Sequence, residues 1–462
     1  MKVYLETMGC QMNRLDSELV LSALTTAGHE IVGDAKDADV VLFNTCSVRK
    51  HAEEKVYSRL GQQGQRKESL AANGRRLIVG VLGCMAQREG SDLTRHYPQV
   101  DIVCGPGQIH RLPALIEQAA SGQATLALDP SRKELADADE SGLDALDLAR
   151  DASAGSSTSQ AFVRITRGCD KFCTYCIVPF VRGPERSRAP QQIVQEVRQL
   201  VEAGRSEITL LGQTVNSYRW SSGELSVRFS DLLAKVSAVE GLRRLRFVTS
   251  HPIDFGNDVL EAMRDLPNVC PYIHAPAQSG SDAVLARMNR KYTRAEYDDL
   301  IDRARAIVPG VVLAGDFIVG FPGESEADHA ASAELIRRSG YKNSFIFKYS
   351  PRPGTAAARW PDDVPASIKK SRNADLLAVQ NEVSLAHNES YIGQAVQVLV
   401  EGPSPRSAKQ PTTPPNGESQ LVGRTRGDHI VVFDAPKSAV GQYLDIQITG
   451  ATALTLFGRL AT

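Results

Sequence analysis

The sequence predicts an α/β chain in three parts: an N-terminal doubly wound parallel α/β domain, a central partial barrel of six strand–helix units, and a small C-terminal β-barrel. Three observations carry this reading. Apolar runs alternate with helical periodicity through the first 120 residues and again from 161 to 388. Ser, Gly and acidic side chains collect between those stretches, in a linker at 121–160. From 391 to 462 the helical period gives way to short β segments set apart by Gly- and Pro-rich turns. A chain of 462 residues, 42% hydrophobic and 23% charged, has the make-up of a soluble globular protein, which excludes disordered, collagenous and membrane-spanning classes. With 53 basic and 54 acidic side chains, bulk charge points to no nucleic-acid or membrane partner.

In the N-terminal part, apolar runs at 3–10, 40–46 and 77–84 end on Cys10, Cys46 and Cys84, and helical patterns follow at 16–24 and 47–60. Strands alternating with helices form a parallel sheet whose carboxyl ends share one edge, so the three cysteines are expected to converge there. A helix N-terminus after Cys46 would favour its thiolate. Cys104 ends a fourth run and is read, like Cys270, as a small core hydrophobe. The linker, with eight acidic against three basic side chains over 129–160, is expected to be helical or disordered in part and solvated.

The central part carries strand signals near 162–166, 208–211, 245–248, 271–274, 311–319 and 344–349. Helical patterns lie between them at 190–203, 231–239, 281–288, 294–307 and 326–338. Six units are too few for a closed eightfold barrel, hence a partial one. Polar residues at the strand ends would line one mouth: Cys169, Gly212 with Gln213 and Asn216, Ser250 with His251, His274 with Gln278 and Ser279, and Asp316 with Gly320. His251 and His274 serve strand-end hydrogen bonding as readily as catalysis. Between 164 and 188, six basic side chains (Arg164, Arg167, Lys171, Arg182, Arg186, Arg188) oppose Asp170 and Glu185, a local excess suited to phosphate or to tuning a metal centre. The tail reads as strands near 395–400, 420–422, 430–433, 443–448 and 453–457, with a Pro- and Thr-rich insert near 404–418.

Chemistry enters through the eight cysteines, which lie in a chain without an export signal and so, by expectation, in a reducing cytoplasm that disfavours disulfides. Cys169, Cys173 and Cys176 follow a CxxxCxxC spacing. Zinc would more usually take a second pair or histidines, and no fourth soft ligand is near in sequence. Three thiolates on a cuboidal iron–sulfur cluster leave one iron open to substrate or cofactor.

With Tyr175 before the last cysteine, the motif CxxxCxYC resembles the radical SAM superfamily. Further motifs extend the resemblance along nearly the whole chain to the radical SAM methylthiotransferases: Gly9-Cys10-Gln11-Met12-Asn13, Asn44-Thr45-Cys46-Ser47-Val48-Arg49, Gly83-Cys84-Met85-Ala86, Gly212-Gln213-Thr214-Val215-Asn216, Gln278-Ser279-Gly280-Ser281, Gly320-Phe321-Pro322-Gly323-Glu324 and Tyr349-Ser350-Pro351-Arg352-Pro353-Gly354-Thr355. The opening motif and the run 47–55 are more similar to the branch acting on isopentenylated tRNA than to relatives that modify a ribosomal protein or another tRNA adenosine, which stand as the alternative substrates. A non-enzymatic iron–sulfur RNA sensor is a further reading, disfavoured by the barrel mouth.

The resemblance implies a methylthiotransferase domain at 1–120, a radical SAM core at 161–388 and an RNA-binding TRAM domain at 391–462. It implies that Cys169, Cys173 and Cys176 hold a 4Fe-4S cluster whose open iron chelates S-adenosylmethionine, and that Cys10, Cys46 and Cys84 hold an auxiliary 4Fe-4S cluster carrying the sulfur to be transferred. S-adenosylmethionine would be both methyl donor and source of a 5′-deoxyadenosyl radical. Tyr175, Gly212, Gln213, Gln278 and Ser279 are its expected contacts, by their places beside the cluster and at strand ends. The implied reaction is methylthiolation of carbon 2 of N6-isopentenyladenosine at position 37 of tRNA. That carbon bears a C–H neither acidic nor electrophilic, so hydrogen abstraction suits it where general-base chemistry does not. Implied partners are a tRNA anticodon stem-loop carrying isopentenyladenosine, a reductant such as flavodoxin or ferredoxin, and iron–sulfur assembly proteins, with no membrane. Ala275 and Ala277 stand where the family usually has Leu and Val, smaller side chains that would loosen the cofactor pocket.

Overall fold

A computed structural model describes residues 1–47, 50–130, 132–135, 141–152, 157, 159–405 and 418–461. Residues 406–417 of the tail insert lie outside that set. No helix among the described residues is long and apolar enough to cross a membrane.

The N-terminal part runs β1 (Lys2–Met8), α1 (Gln11–Thr26), β2 (Glu30–Ile31), β3 (Val40–Thr45), α2 (Lys50–Ala71), β4 (Ile78–Gly83), α3 (Cys84–Glu89), α4 (Ser91–His96), β5 (Ile102–Cys104), α5 (Leu112–Ala120) and β6 (Thr125–Ala127). All strand pairs are parallel, in the order β2-β1-β3-β4-β5-β6. Successive residues of each strand point to opposite faces. Val40 and Leu42 therefore pack with Val20, Leu115 and Ile116 of α1 and α5, while Val41 and Phe43 pack with Val56 and Leu60 of α2 and Met85 of α3. That two-sided burial is why the central strands read as continuous apolar runs.

Two short helices, α6 (Arg132–Leu135) and α7 (Ser141–Leu148), lead into the core. Contrary to the expectation of a solvated linker, α7 is docked: Leu143 is buried in the N-terminal core and Asp147 is almost wholly buried.

The core follows as β7 (Gln160–Arg164), β8 (Thr166–Arg167), α8 (Val178–Val181), β9 (Arg186–Ser187), α9 (Pro190–Glu202), β10 (Glu207–Leu211), β11 (Arg219–Ser222), β12 (Leu225–Arg228), α10 (Phe229–Ser237), β13 (Arg244–Phe247), α11 (Asn257–Asp265), β14 (Tyr272–His274), α12 (Asp282–Arg287), α13 (Arg294–Ile307), β15 (Val312–Val319), α14 (Glu326–Ser339), β16 (Asn343–Lys348) and α15 (Ala366–Glu389). Parallel pairing gives β7-β10-β13 and β14-β15-β16, and a Leu245–Val269 bridge joins the two sheets. The result is the expected open barrel of six strands, with one apolar core between strands and outer helices. Helix starts follow local chemistry. Thr293 and Ser325 cap α13 and α14 while Glu296 and Asp328 reach back to the cap N–H groups.

The tail is a closed barrel of β17 (Ala395–Pro403), β18 (Glu418–Thr425), β19 (Ile430–Pro436), β20 (Tyr443–Ala451) and β21 (Thr455–Leu460), ordered β17-β18-β19-β21-β20. Buried arginines of the core hold it by its backbone. Arg244 donates to the carbonyls of Arg424 and Gln397, and Arg246 to those of Arg426 and Thr425. In return Arg426 donates to the carbonyls of Pro267 and Val269, and Lys342 pairs with Asp428 at 2.7 Å.

The basic stretch 164–188, read as suited to phosphate or to tuning a metal centre, is mostly neutralised inside the protein, and Arg182 of it reaches a cysteine thiol. Arg164 bridges Asp16 of α1 at 2.9 Å and Asp147 of α7 at 2.7 Å. Arg167 reaches Asp144 and Asp147, Arg188 reaches Glu196 and Asp147, Arg182 reaches Asp16, and Lys171 reaches Asp254. Two linker acids that read as solvated, Asp144 and Asp147, are among the counter-charges of this cluster.

Burial would raise the Asp147 carboxyl, but Arg164, Arg188 and Arg167 outweigh it and hold it at about 2. A carboxyl depressed below its unfolded value stabilises the fold above about pH 4, and that contribution is lost as pH falls toward 2. Asp147→Asn is expected to cost about 3 kcal/mol at neutral pH by leaving buried guanidinium groups uncompensated. Urea denaturation across pH should show the variant less stable at pH 7 and less sensitive to acid than the parent chain.

Candidate active site

Three neighbouring strands of the N-terminal sheet stop in register, with Met8 opposite Thr45 and Thr45 opposite Gly83. Cys46 and Cys84 follow Thr45 and Gly83 directly, and Cys10 follows Met8 after one glycine, so the convergence expected from sequence is built by strand pairing. Buried amides lock the strand ends. Asn13 donates to Asn44 Oδ1 at 2.9 Å and to the Thr45 carbonyl, and Asn44 donates to the Asn13 carbonyl and to Ser17 Oγ. Gly83 has φ of +89°, and a Cβ there would lie 2.6 Å from Asn44 Oδ1 and 2.8 Å from the Thr45 carbonyl, so only glycine lets β4 turn into α3.

Cys10 sits at the N-terminus of α1, its thiol 3.3 Å from Asn13 Oδ1. A hydrogen bond from the Cys46 thiol, acting against burial and aided by the charge of Arg182, brings Cys10 down to about 6. Burial pushes Cys84 up, and Arg182 opposes it. The Arg182 guanidinium, its side chain only 7% exposed, donates from Nε to Cys84 Sγ at 3.2 Å and from a terminal nitrogen to Asp16 at 2.8 Å. One arginine of the central core thus touches a thiol of the N-terminal domain.

The second group lies at the barrel mouth. Cys169 follows β8, where Gly168 has φ of +67° and a Cβ would strike the Pro184 carbonyl. Its N–H donates to the Gly183 carbonyl, and its Sγ lies 3.8 Å from Thr214 Oγ1. The loop onward to Cys176 is pinned to the turn after α12 by Thr174 N–H to the Met288 carbonyl, Thr174 Oγ1 to the Arg287 carbonyl and Asn289 to the Phe172 carbonyl. Buried Arg290 donates to Cys173 Sγ at 3.4 Å, to the Pro276 carbonyl and to the Tyr292 hydroxyl. Burial raises Cys169 and Cys176, so their ionised forms need a strong local cation.

Among the described residues no three His, Cys, Asp or Glu side chains come close enough for a single metal ion. Three thiols without a fourth ligand among those residues suit a multi-iron cluster, in which each cysteine takes a different iron, better than mononuclear zinc, which takes four. The donor chemistry of both groups fits such a cluster.

Of the other residues expected at the mouth, Tyr175 packs edge-on to Phe321 beside Ile318 and Tyr349. Gly212 closes against Thr166, where a Cβ would lie 2.0 Å from Oγ1. Gln213 follows it, half-buried, and precedes Thr214. Gln278 has φ of +70°, donates its N–H to the Asp316 carbonyl and accepts from Ile318, tying the end of β14 to β15. The Ser279 hydroxyl accepts from Ser281 N–H and lies 3.4 Å from Ser332 Oγ, so it builds the turn into α12. Asn216 brackets the His251 backbone, and burial keeps the His251 imidazole neutral. His274 lies 3.0 Å from Asp316.

Ala275 and Ala277 are fully buried in the core, and Tyr297, Tyr292 and Arg290 take the carbonyls of residues 275–277, so the small side chains do not loosen this segment. Cys104 is buried in the N-terminal core, its thiol directed to the Gly105 carbonyl, and Cys270 is likewise buried. Thr214, Arg182 and Arg290 were not singled out by sequence as contacts to these thiols. Arg182 was visible only as part of the basic stretch, and nothing local marks the other two.

Comparison with known proteins divides the chain in the same way. Residues 2–105 match the uncharacterized protein family UPF0004, residues 163–336 the radical SAM superfamily and residues 389–461 the TRAM domain. A tRNA-2-methylthio-N(6)-dimethylallyladenosine synthase of Rhodopirellula baltica is 47% identical over 100% of this chain and 95% of its own length. A protein of the same name from Moorella thermoacetica is 42% identical over 98% of this chain and 97% of its own. In fold, the radical S-adenosylmethionine methyltransferase TsrM of Kitasatospora setae superposes with a TM-score of 0.54 at 14% identity, over 75% of this chain and 72% of that one. On end-to-end identity and on the placement of its cysteines, the chain belongs to the tRNA-2-methylthio-N(6)-dimethylallyladenosine synthase family of radical SAM proteins.

Proposed function

We infer that this chain is a tRNA methylthiotransferase that converts N6-isopentenyladenosine at position 37 to its 2-methylthio derivative. The observation that carries the reading is the pairing of full-length family identity with two separate three-cysteine groups at strand ends. In this reading Cys169, Cys173 and Cys176 hold a 4Fe-4S cluster at the barrel mouth, and Cys10, Cys46 and Cys84 hold the auxiliary one. Bound there, the clusters and S-adenosylmethionine supply the 5′-deoxyadenosyl radical, the sulfur and the methyl group.

The chain's own residues hold and orient. Arg290 and Arg182 each place a buried positive charge against one sulfur, at Cys173 and Cys84, offsetting the thiolate charge each cluster requires. The Gly212-Gln213 turn and Gln278 bring backbone to the mouth, and Tyr175 walls the cluster loop, the roles assigned here to cofactor binding. Ser279 acts through the turn it builds. The target adenosine lies in a single-stranded loop, from which a base leaves its stack at modest cost. A tRNA anticodon stem-loop is therefore the proposed partner, with a flavodoxin- or ferredoxin-like reductant and iron–sulfur assembly proteins.

Anaerobic iron and sulfide analysis with electron paramagnetic resonance tests the ligand assignment. About eight irons per chain should fall to about four in the Cys169→Ala/Cys173→Ala/Cys176→Ala variant. A fall from about four to none would remove the auxiliary site, and with it this reading. Mass spectrometry of nucleosides from isopentenylated tRNA should then show the 2-methylthio product with the parent chain alone. Arg182→Gln is expected to keep the iron content but to move the potential of the auxiliary cluster in the negative direction, on the order of tens of millivolts, because a positive charge beside a sulfur favours the reduced form. A redox titration followed by paramagnetic resonance reads the shift.

A further inference from the structure

β16 is the edge strand of the open barrel, and its two faces are unlike. Ile346 packs toward the outer helices, whereas Phe345 and Phe347 point the other way and are 52% and 42% exposed. Alternation along a strand places both rings on the interior face. Register agrees: Phe345 lies opposite Asp316 and Phe347 opposite Ile318. Asp316 holds His274, against which the Phe345 ring stands edge-on at 6.4 Å, and Ile318, like Tyr175 of the cluster loop, packs against the buried cluster of Phe321 and Tyr349. The two phenylalanine rings are 6.4 Å apart and nearly parallel, at 18°. Apolar side chains therefore lead from the cluster that Tyr175 and Ile318 share, by way of the Ile318–Phe347 register, to Phe347 and Phe345. They end beside the His274–Asp316 pair, and the exposed Lys348 follows Phe347 on the chain.

Large apolar side chains half-exposed inside a barrel mouth serve none of the core packing. We propose that Phe345 and Phe347 form the receptor for the N6 substituent of the alkylated adenine, the rings taking its apolar five-carbon group. They would be the residues by which this chain distinguishes isopentenylated from unmodified adenosine. The inference rests on the methylthiotransferase reading and adds to it a specificity surface. Its position supports that occupant: the rings share the strand face of Asp316 and Ile318, and Ile318 packs against the same cluster as Tyr175 of the cysteine loop, where a target carbon must come to react.

The test uses the reconstituted holoenzyme and two anticodon stem-loops differing only in the isopentenyl group. Phe345→Ala/Phe347→Ala should weaken binding of the isopentenylated loop by about tenfold or more, with the unmodified loop held to within about twofold. Phe345→Leu/Phe347→Leu should restore most of the discrimination, and iron content and thermal midpoint should match the parent in both variants. Equal loss on both loops, no loss on either, or a change only in oligomeric state would overturn the proposal. A parent enzyme that forms no 2-methylthio product would condemn the underlying reaction instead. An active parent whose alanine variant discriminates as well as it does would condemn the phenylalanine receptor alone.

Discussion

Arg164 between Asp16 and Asp147 is the contact on which the arrangement of the chain depends. It joins the first helix of the N-terminal sheet, the linker helix and the first core strand at one buried point. Arg182 extends the same chain of charges from Asp16 to Cys84. A buried ionic cluster of this kind contributes modestly to net stability, because desolvating each group opposes the gain in pairing. Its directional bonds fix orientation, however, and removal of any one member leaves the others costly. Apolar packing of Met12, Leu15 and Leu19 against Leu211 and Phe162 supplies adhesion across the same boundary, while the charges set the register.

The two thiol groups are built alike from unrelated folds. Each has a positive-φ glycine where backbone approaches backbone and one buried arginine on one sulfur. In the doubly wound sheet the convergence comes from three neighbouring strands. In the barrel it comes from a single loop braced by the turn after α12. The arginines are held from behind, by Asp16 in one case and by Tyr292 and a carbonyl in the other, so their position does not depend on the sulfur they touch.

The parts legible in sequence were those with local signals: apolar runs of strand length, helical periodicity, capping residues and the tight cysteine triple. The parts that were not legible depend on distant partners. An acidic linker and a basic stretch each read as solvated or as a docking surface, since composition cannot say that Asp147 meets Arg164, Arg167 and Arg188. α15 escaped for a related reason. It buries Lys369, Arg372, Gln380, Ser384 and Asn388 along with Leu376 and Val379, so no clean apolar stripe marks it. Thr214 and Arg290 become neighbours of cysteines only when the barrel curls. The strand-end rule gathers polar residues at one end of the barrel, but it does not separate a half-buried side chain, such as Gln213, from one engaged in its own turn, such as Ser279.

The attachment of the tail barrel bears on how this chain can drift in evolution. Arg244, Arg246 and Arg426 bind main-chain carbonyls, and a carbonyl persists whatever side chain its residue carries. The tail's outward-facing residues can therefore be exchanged one after another without undoing its seat on the core. The seat is inherited with the three arginines, and the tail's outer surface is left open to selection.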